Sequence, residues 1–193
     1  MTASLPHRVR TPARRPVPPA GPPLFRREEW AASPASVAPD MGDLADRVRG
    51  LMNLAGGGTG CVPLGGRLFD VVVTATGHAA RAMVRLMDEV QIDGCGPVIE
   101  DPGRSWLYWL VPPGTSLRWE PHRYAICLGR PYELALPPLG RTEPPGPYWL
   151  RPCKADRLVP ATPLRDNLDR FQPAPVPHEV LLAAELRSLG CPS

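Results

Sequence analysis

Apolar positions recur at two periods along this chain, and the switches between them mark out its elements. Leu44, Val48, Leu51 and Ala55 fall at helical spacing, and Gly56-Gly57-Gly58 ends the pattern. A first helix is therefore predicted from Asp43 to Leu54, with Asp40 or Asp43 at its cap. Leu68–Ala75 is a short valine-rich run of the kind that forms a buried strand. The helical period then returns. Ala79, Met83, Leu86 and Val90 make the apolar stripe of a helix predicted over Gly77–Val90, with Arg81, Arg85, Asp88 and Glu89 mainly off the stripe and Thr76 as N-cap.

After a turn at Asp93-Gly94 the pattern is that of short strands. Pro97–Glu100 and Ser105–Val111 are separated by Asp101-Pro102-Gly103, which predicts a hairpin. Arg123–Leu128 and Tyr132–Leu136 follow, with Gly129-Arg130-Pro131 turning between them, and Tyr148–Arg151 is expected at a sheet edge. Thr162-Pro163 would cap a short helix running to Phe171. A last helix, His178 to Leu189, carries Leu181, Leu182, Ala184, Leu186 and Leu189 and stops at Gly190. Strand, helix, strand over some thirty residues is the βαβ pattern.

Proline limits how much of the chain can join this core. It occurs 28 times in 193 residues, concentrated before Pro39, between Pro137 and Pro163, and after Gln172. Each proline removes an N–H and fixes φ, which disfavours helix interiors and central strands. Four segments result. Residues 1–39 are a basic, proline-rich arm expected to be disordered, and 40–60 hold the first helix and a glycine-rich linker. The core spans 61–171, and 172–193 are a proline-rich segment with the last helix. Gly56–Gly60 is not a phosphate loop, because no Gly-Lys-Ser/Thr follows it and the glycines come after a helix.

The net charge is +3, but Arg8, Arg10, Arg14, Arg15, Arg26 and Arg27 all precede the first acid, Glu28, so the rest of the chain is net negative. The five cysteines lie far apart and in no C-x-x-C pair, which predicts reduced, mostly buried thiols in a cytoplasmic protein. No apolar run approaches the ~20 residues of a membrane span, so no membrane partner is expected.

One family fits the order of the core motifs. Phe69-Asp70-Val71-Val72 comes first, then Gly77, Ala82 and Arg85-Leu86, then Gly96-Pro97-Val98. Trp106-Leu107-Tyr108-Trp109 precedes Pro113-Gly114, and Tyr132 precedes Pro137-Pro138. This order, over roughly Val62 to Leu168, resembles the N-terminal bifunctional DNA primase/polymerase (prim-pol) family, nearest to its short actinobacterial versions. The resemblance implies an α/β (α+β) fold: a primase/polymerase-like mixed sheet with an RRM-like βαββ core and helices packed on one face.

The departures from the family bear on chemistry. Nucleotidyl transfer needs clustered carboxylates to hold divalent metals. Val73 stands where the family places an acid, Asp70 is left alone as a weak metal candidate, and Glu133 matches the third position poorly. Trp106 occupies the place of the family's histidine, and its Gly-Gly is reduced to Gly103-Arg104. No catalytic residue and no cofactor is assigned on this reading, and loss of one member of a cooperative set removes most of the rate.

The remaining handle is aromatic. Alternation puts Trp106, Tyr108 and Leu110 on one face of their strand and Leu107, Trp109 and Val111 on the other. An open Trp106/Tyr108 face would stack bases at roughly 1–3 kcal/mol each, with Arg104 and the arm residues Arg14, Arg15, Arg26 and Arg27 supplying phosphate contacts. The competing arrangement covers both faces, with the first helix and the proline-rich C-terminal segment. Glu100-Asp101 reads as a solvated turn, His78 as a surface helix residue, His122 as a loop residue and Cys127 as packed in a strand. The leading expectation is a non-catalytic protein that binds single-stranded nucleic acid or nucleotide. The alternative is a protein–protein module, and an active primase/polymerase is the third.

Overall fold

The computed structural model describes Asp46, Gly50 and residues 60–91, 94–153 and 157–177, all within the unit Ala38–Ser193. Asp46 and Gly50 are helical. The rest of the helix expected over 43–54, the helix expected over 178–189 and the arm with Arg14, Arg15, Arg26 and Arg27 lie outside the described residues.

The core is mixed α+β. Its elements are β1 (Gly60–Pro63), β2 (Asp70–Ala75), α1 (His78–Met87), β3 (Val98–Asp101), β4 (Trp106–Val111), β5 (Ala125–Leu128), β6 (Glu133–Leu136), β7 (Tyr148–Arg151) and α2 (Ala161–Phe171). Five strands form one sheet in the order β5-β2-β4-β3-β7, every neighbouring pair antiparallel. β2 and β3 thus run parallel to each other, joined by α1, with β4 between them. The expected β3–β4 hairpin forms, with Val98 opposite Trp109 and Asp101 opposite Trp106. β7 takes the edge beside β3.

Both faces of this sheet are covered. Val72, Leu107, Trp109 and Val111 pack on one face under Ala80, Met83, Val84 and Met87 of α1 and Leu164 and Leu168 of α2. Val71, Val73, Trp106, Tyr108 and Leu110 point the other way, under Val62 of β1 and Leu134 and Leu136 of β6. β1 and β6 form a separate antiparallel ribbon, Gly60 opposite Leu136 and Pro63 opposite Glu133. β6 answers to the strand expected over Tyr132–Leu136, but β1 and its pairing have no counterpart in the sequence reading, where 56–60 is only a linker. The turn at Gly129-Arg130-Pro131 does not make a hairpin: β5 joins the sheet beside β2, while β6 leaves it for β1.

The expectations for both α1 and α2 shift. Helix α1 ends at Met87, and its buried stripe is Ala80, Met83, Val84 and Met87 rather than one that includes Ala79, Leu86 and Val90. Val90 lies past the last turn and is 42% exposed. The N-cap is Gly77 at φ 126°, without a side-chain cap, in place of Thr76. Helix α2 begins at Ala161 with Pro160 at its cap, two residues before the expected cap Thr162.

Local chemistry locks the chain where elements cross. Trp109 Nε1–H donates to Thr74 Oγ1 at 2.9 Å, so the indole is buried with its polar atom satisfied. Trp149 Nε1–H donates to the Pro137 carbonyl at 3.1 Å and ties β7 to the end of the ribbon strand. Gly96 sits at φ +90° with the backbone of Leu158 and Val159 so close that a Cβ would lie 2.8 Å from the Val159 nitrogen. Only glycine fits there.

Candidate functional site

The residues singled out in the sequence come out differently from one another. Trp106 and Tyr108 are 6% and 2% exposed, stacked edge to face with centroids 6.4 Å apart beneath the β1–β6 ribbon. An open stacking platform on this face is therefore corrected to a covered one. The ribbon forms this cover, and Val176 of the proline-rich C-terminal segment packs against the same cluster. Arg104, in the β3–β4 turn, reaches back to the end of β3, with Nη1 3.1 Å from Asp101 Oδ2.

The acids are mostly engaged. Glu100 and Asp101 are buried, which corrects the solvated-turn reading. Arg81 places Nη2 2.8 Å from both Glu100 carboxylate oxygens, and Tyr148 O–H donates to Glu100 Oε2 at 2.5 Å. Burial and this acceptor hold the Tyr148 phenol above its ordinary pKa, with Arg81 opposing them. Asp101 accepts the Gly103 N–H at 3.1 Å and closes the hairpin turn. Arg151 forks onto Asp88, Nη2 to Oδ2 at 2.6 Å and Nε to Oδ1 at 3.0 Å, and the Cys95 N–H adds a third bond. Partial burial pushes the Asp88 carboxyl up, but Arg151 and the Cys95 N–H outweigh it and hold it below the usual range. Among the described residues no three His, Cys, Asp or Glu side chains come together to hold a metal ion.

The thiols divide. Cys95 is buried, and desolvation pushes it up to about 12. Cys127 in β5 is raised by burial and by the nearby Asp70 charge, so neither thiol is a nucleophile at neutral pH. Cys61 departs from the expectation of reduced thiols, because it is disulfide-bonded. No helix among the described residues is long and apolar enough to cross a membrane.

Asp70, the weak metal candidate, is tied to the chain's own backbone. It opens β2 on the helix-covered side of the sheet, fully buried, and its Oδ2 accepts the Ser116 N–H at 2.7 Å. Its Oδ1 is buried with no hydrogen-bond partner among the described residues. Gly129 makes the packing possible, since a Cβ there would meet Ser116 Oγ at 2.2 Å and Asp70 Oδ1 at 3.4 Å.

The loop from Ser116 to Arg123, between β4 and β5, holds the feature that the sequence reading missed. Trp119 forms part of the walls of two cavities. One, about 430 Å³, is lined by Arg118, Arg165, Thr115, Thr162, Glu120 and Trp119. The other, about 570 Å³, is lined largely by apolar groups, among them Ala125, Ile126, Pro175 and Val176, with Ser116, His122, Arg123 and Cys127 as its polar members. The Arg165 guanidinium lies 5.1 Å from the indole centroid, and its Nη1 donates to the Glu120 carbonyl at 2.9 Å. Trp119 Nε1 is buried with no partner among the described residues. His122 Nδ1 accepts the Tyr124 N–H at 3.2 Å, so its Nε2 carries the proton that faces Asp169 at 3.2 Å.

This arrangement can bind but has no activated nucleophile. The first cavity offers mainly donors and positive charge, and the second offers flat apolar walls. The sequence signal was a lone Trp119 between Arg118 and Glu120, with nothing to show that Arg165 and Val176 come alongside. No protein-family model matches the chain, and no match is found among curated proteins or solved structures.

Proposed function

We propose that this chain is a catalytically degenerate primase/polymerase-like protein that binds single-stranded nucleic acid or a nucleotide. Two features support the fold half of this reading. The strand order β5-β2-β4-β3, with β4 splitting the β2-α1-β3 unit, is the order an RRM-like sheet requires, and both described helices lie on one face. Val73, in the position where the family carries an acid, is buried in the ribbon-side core.

The binding half is carried by the Trp119 end, where an indole, two arginines and an apolar cavity meet. Such sites grip nucleotides through base stacking and charge-assisted bonds to phosphate. The test is a titration of the full chain against a labelled single-stranded oligonucleotide at low and high salt. Binding at low salt that weakens with added salt and in Trp119→Ala is the expected result, and no binding at low salt sinks the reading. Primer extension with magnesium or manganese tests the non-catalytic half, which robust nucleotide incorporation would overturn.

One observation favours the protein–protein alternative. Leu117 is 89% exposed beside Arg118, which suits an anchor for an apolar, acidic partner surface. That alternative requires a co-purifying protein whose retention is lost in Leu117→Ser and kept in Trp119→Phe.

A further inference from the structure

We infer that the ligand of the Trp119 end is a continuing single strand and not a lone nucleotide, with one phosphate at Arg118 and Arg165 and another at Arg123. This rests on the binding reading above and narrows it from strand or nucleotide to strand.

Trp119 belongs to the walls of both cavities, so the two hollows adjoin at that residue, and both are half open to solvent. Each brings its own positive charge. Arg118 and Arg165 line the first, and Arg123 lines the second. Arg118 and Arg123 are exposed, and neither meets a carboxylate among the described residues. Arg165 has only Glu120, 3.8 Å away with its side chain 85% exposed, a weak partner that an incoming anion displaces. Glu120 is the one carboxylate in either lining. Asp169, which meets His122 of the second cavity, is 75% exposed and lines neither. Ala161 and Thr162 of the first cavity open α2 with no side-chain cap and no acid in the first turn, which adds to its preference for an anion.

The division of charge between two cavities decides for a strand. Arg118 and Arg123 lie in one loop, so their Cα atoms are at most about 18 Å apart. Both side chains are long enough to serve phosphates of the same short stretch of chain. A mononucleotide carries phosphate on one side of its base and engages the guanidiniums of one cavity only. A strand carries a phosphate on each side of every base and engages both, by charge-assisted bonds to phosphate oxygens. The apolar walls at Ile126 and Val176 are then free to take a base.

The test is calorimetric titration of the full chain with thymidine monophosphate, thymidine 3′,5′-bisphosphate and oligothymidylates of increasing length. The bisphosphate is the shortest ligand with a phosphate on each side of a base, and it should bind about tenfold more tightly than the monophosphate. Oligothymidylates should bind at least as tightly as the bisphosphate. Arg123→Ala should bring the bisphosphate down to the affinity of the monophosphate and leave the monophosphate unchanged, whereas Arg118→Ala should weaken both. For the longest oligothymidylate, Arg123→Ala should also lower the slope of log affinity against log salt by about 0.7, one phosphate contact on a single strand. Equal affinity for the monophosphate, the bisphosphate and the oligothymidylates would overturn this inference and leave the broader reading intact. So would strand binding that neither Arg118→Ala nor Arg123→Ala weakens. Binding by none of these ligands would overturn both the inference and the reading beneath it.

Discussion

The clamps around Glu100 and Asp88 and the region around Trp119 use the same residue types in opposite balance. In the clamps every carboxylate meets an arginine: Glu100 with Arg81, Asp101 with Arg104, Asp88 with Arg151. At Trp119 the balance fails, leaving an indole N–H without an acceptor and, behind the cavity wall, an Asp70 oxygen without a donor among the described residues. Matched charges join strand to helix and strand to strand, which is an architectural task. The two cavities beside Trp119 leave room for a ligand, which is a binding task. The clamps should therefore govern stability, and the Trp119 end should govern binding.

The largest expected effect tests the clamps. Glu100→Ala removes the acceptor of a buried phenol and the partner of Arg81, so it should cost about 3 kcal/mol in denaturant unfolding. A loss below about 1 kcal/mol would show that these pairs are ornamental and would dissolve the contrast. Arg151→Ala comes next, at about 1–2 kcal/mol, with a signature in pH. The Asp88 carboxyl is depressed in the folded state, so its contribution is present above its unfolded value near 3.8 and is lost as pH falls through the lower folded value. The variant should have a flatter acid limb of stability. Tyr148 supplies the opposite limb. Its phenol is raised, so its contribution is full below the unfolded value of 10.0 and fades as pH rises above it. Tyr148→Phe should remove that alkaline loss and cost roughly 1 kcal/mol at neutral pH.

Smaller changes sharpen the other side. Asp70→Asn replaces a buried, half-paired charge by a neutral amide that still accepts from Ser116, so stability should hold or rise by about 1 kcal/mol. A loss of several kcal/mol would mean that Oδ1 has a structural partner after all. Trp119→Phe should change stability by no more than about 0.5 kcal/mol, because the ring is only partly buried and its N–H bonds nothing among the described residues.

The sheet was legible where the residues are strongly patterned. Val71–Val73 and Trp106–Val111 have the apolar content that strands buried on both sides need, and Asp101-Pro102-Gly103 signals the β3–β4 hairpin. The ribbon was not legible. Gly60–Pro63 has too little apolar content to show as a strand, and it exists because Val62 finds Leu134 and Leu136 far along the chain. The shifted face of α1 has a similar cause: Ala80 and Val84 are as apolar as Ala79 and Leu86, and the sheet decides which pair turns inward. The acids misled for another reason. Glu100 and Asp101 beside Pro-Gly look solvated until Arg81, Tyr148 and Arg104 close over them. The Trp119 end is assembled from the β4–β5 loop, the first turns of α2 and the segment near Val176, and no local pattern announces that meeting.

The ribbon's two strands lie on opposite sides of β2 to β5 in the sequence, which has a kinetic consequence. β1 leaves any nascent chain early, but its partner β6 follows almost every strand of the sheet, so the cover over Trp106 and Tyr108 closes by a distant encounter. Until then those two rings face water on a half-built molecule, and crowding during refolding should recruit neighbouring chains to that surface. Yield on dilution from denaturant should therefore fall steeply with concentration, and a free peptide of the β1 segment added in excess should raise it.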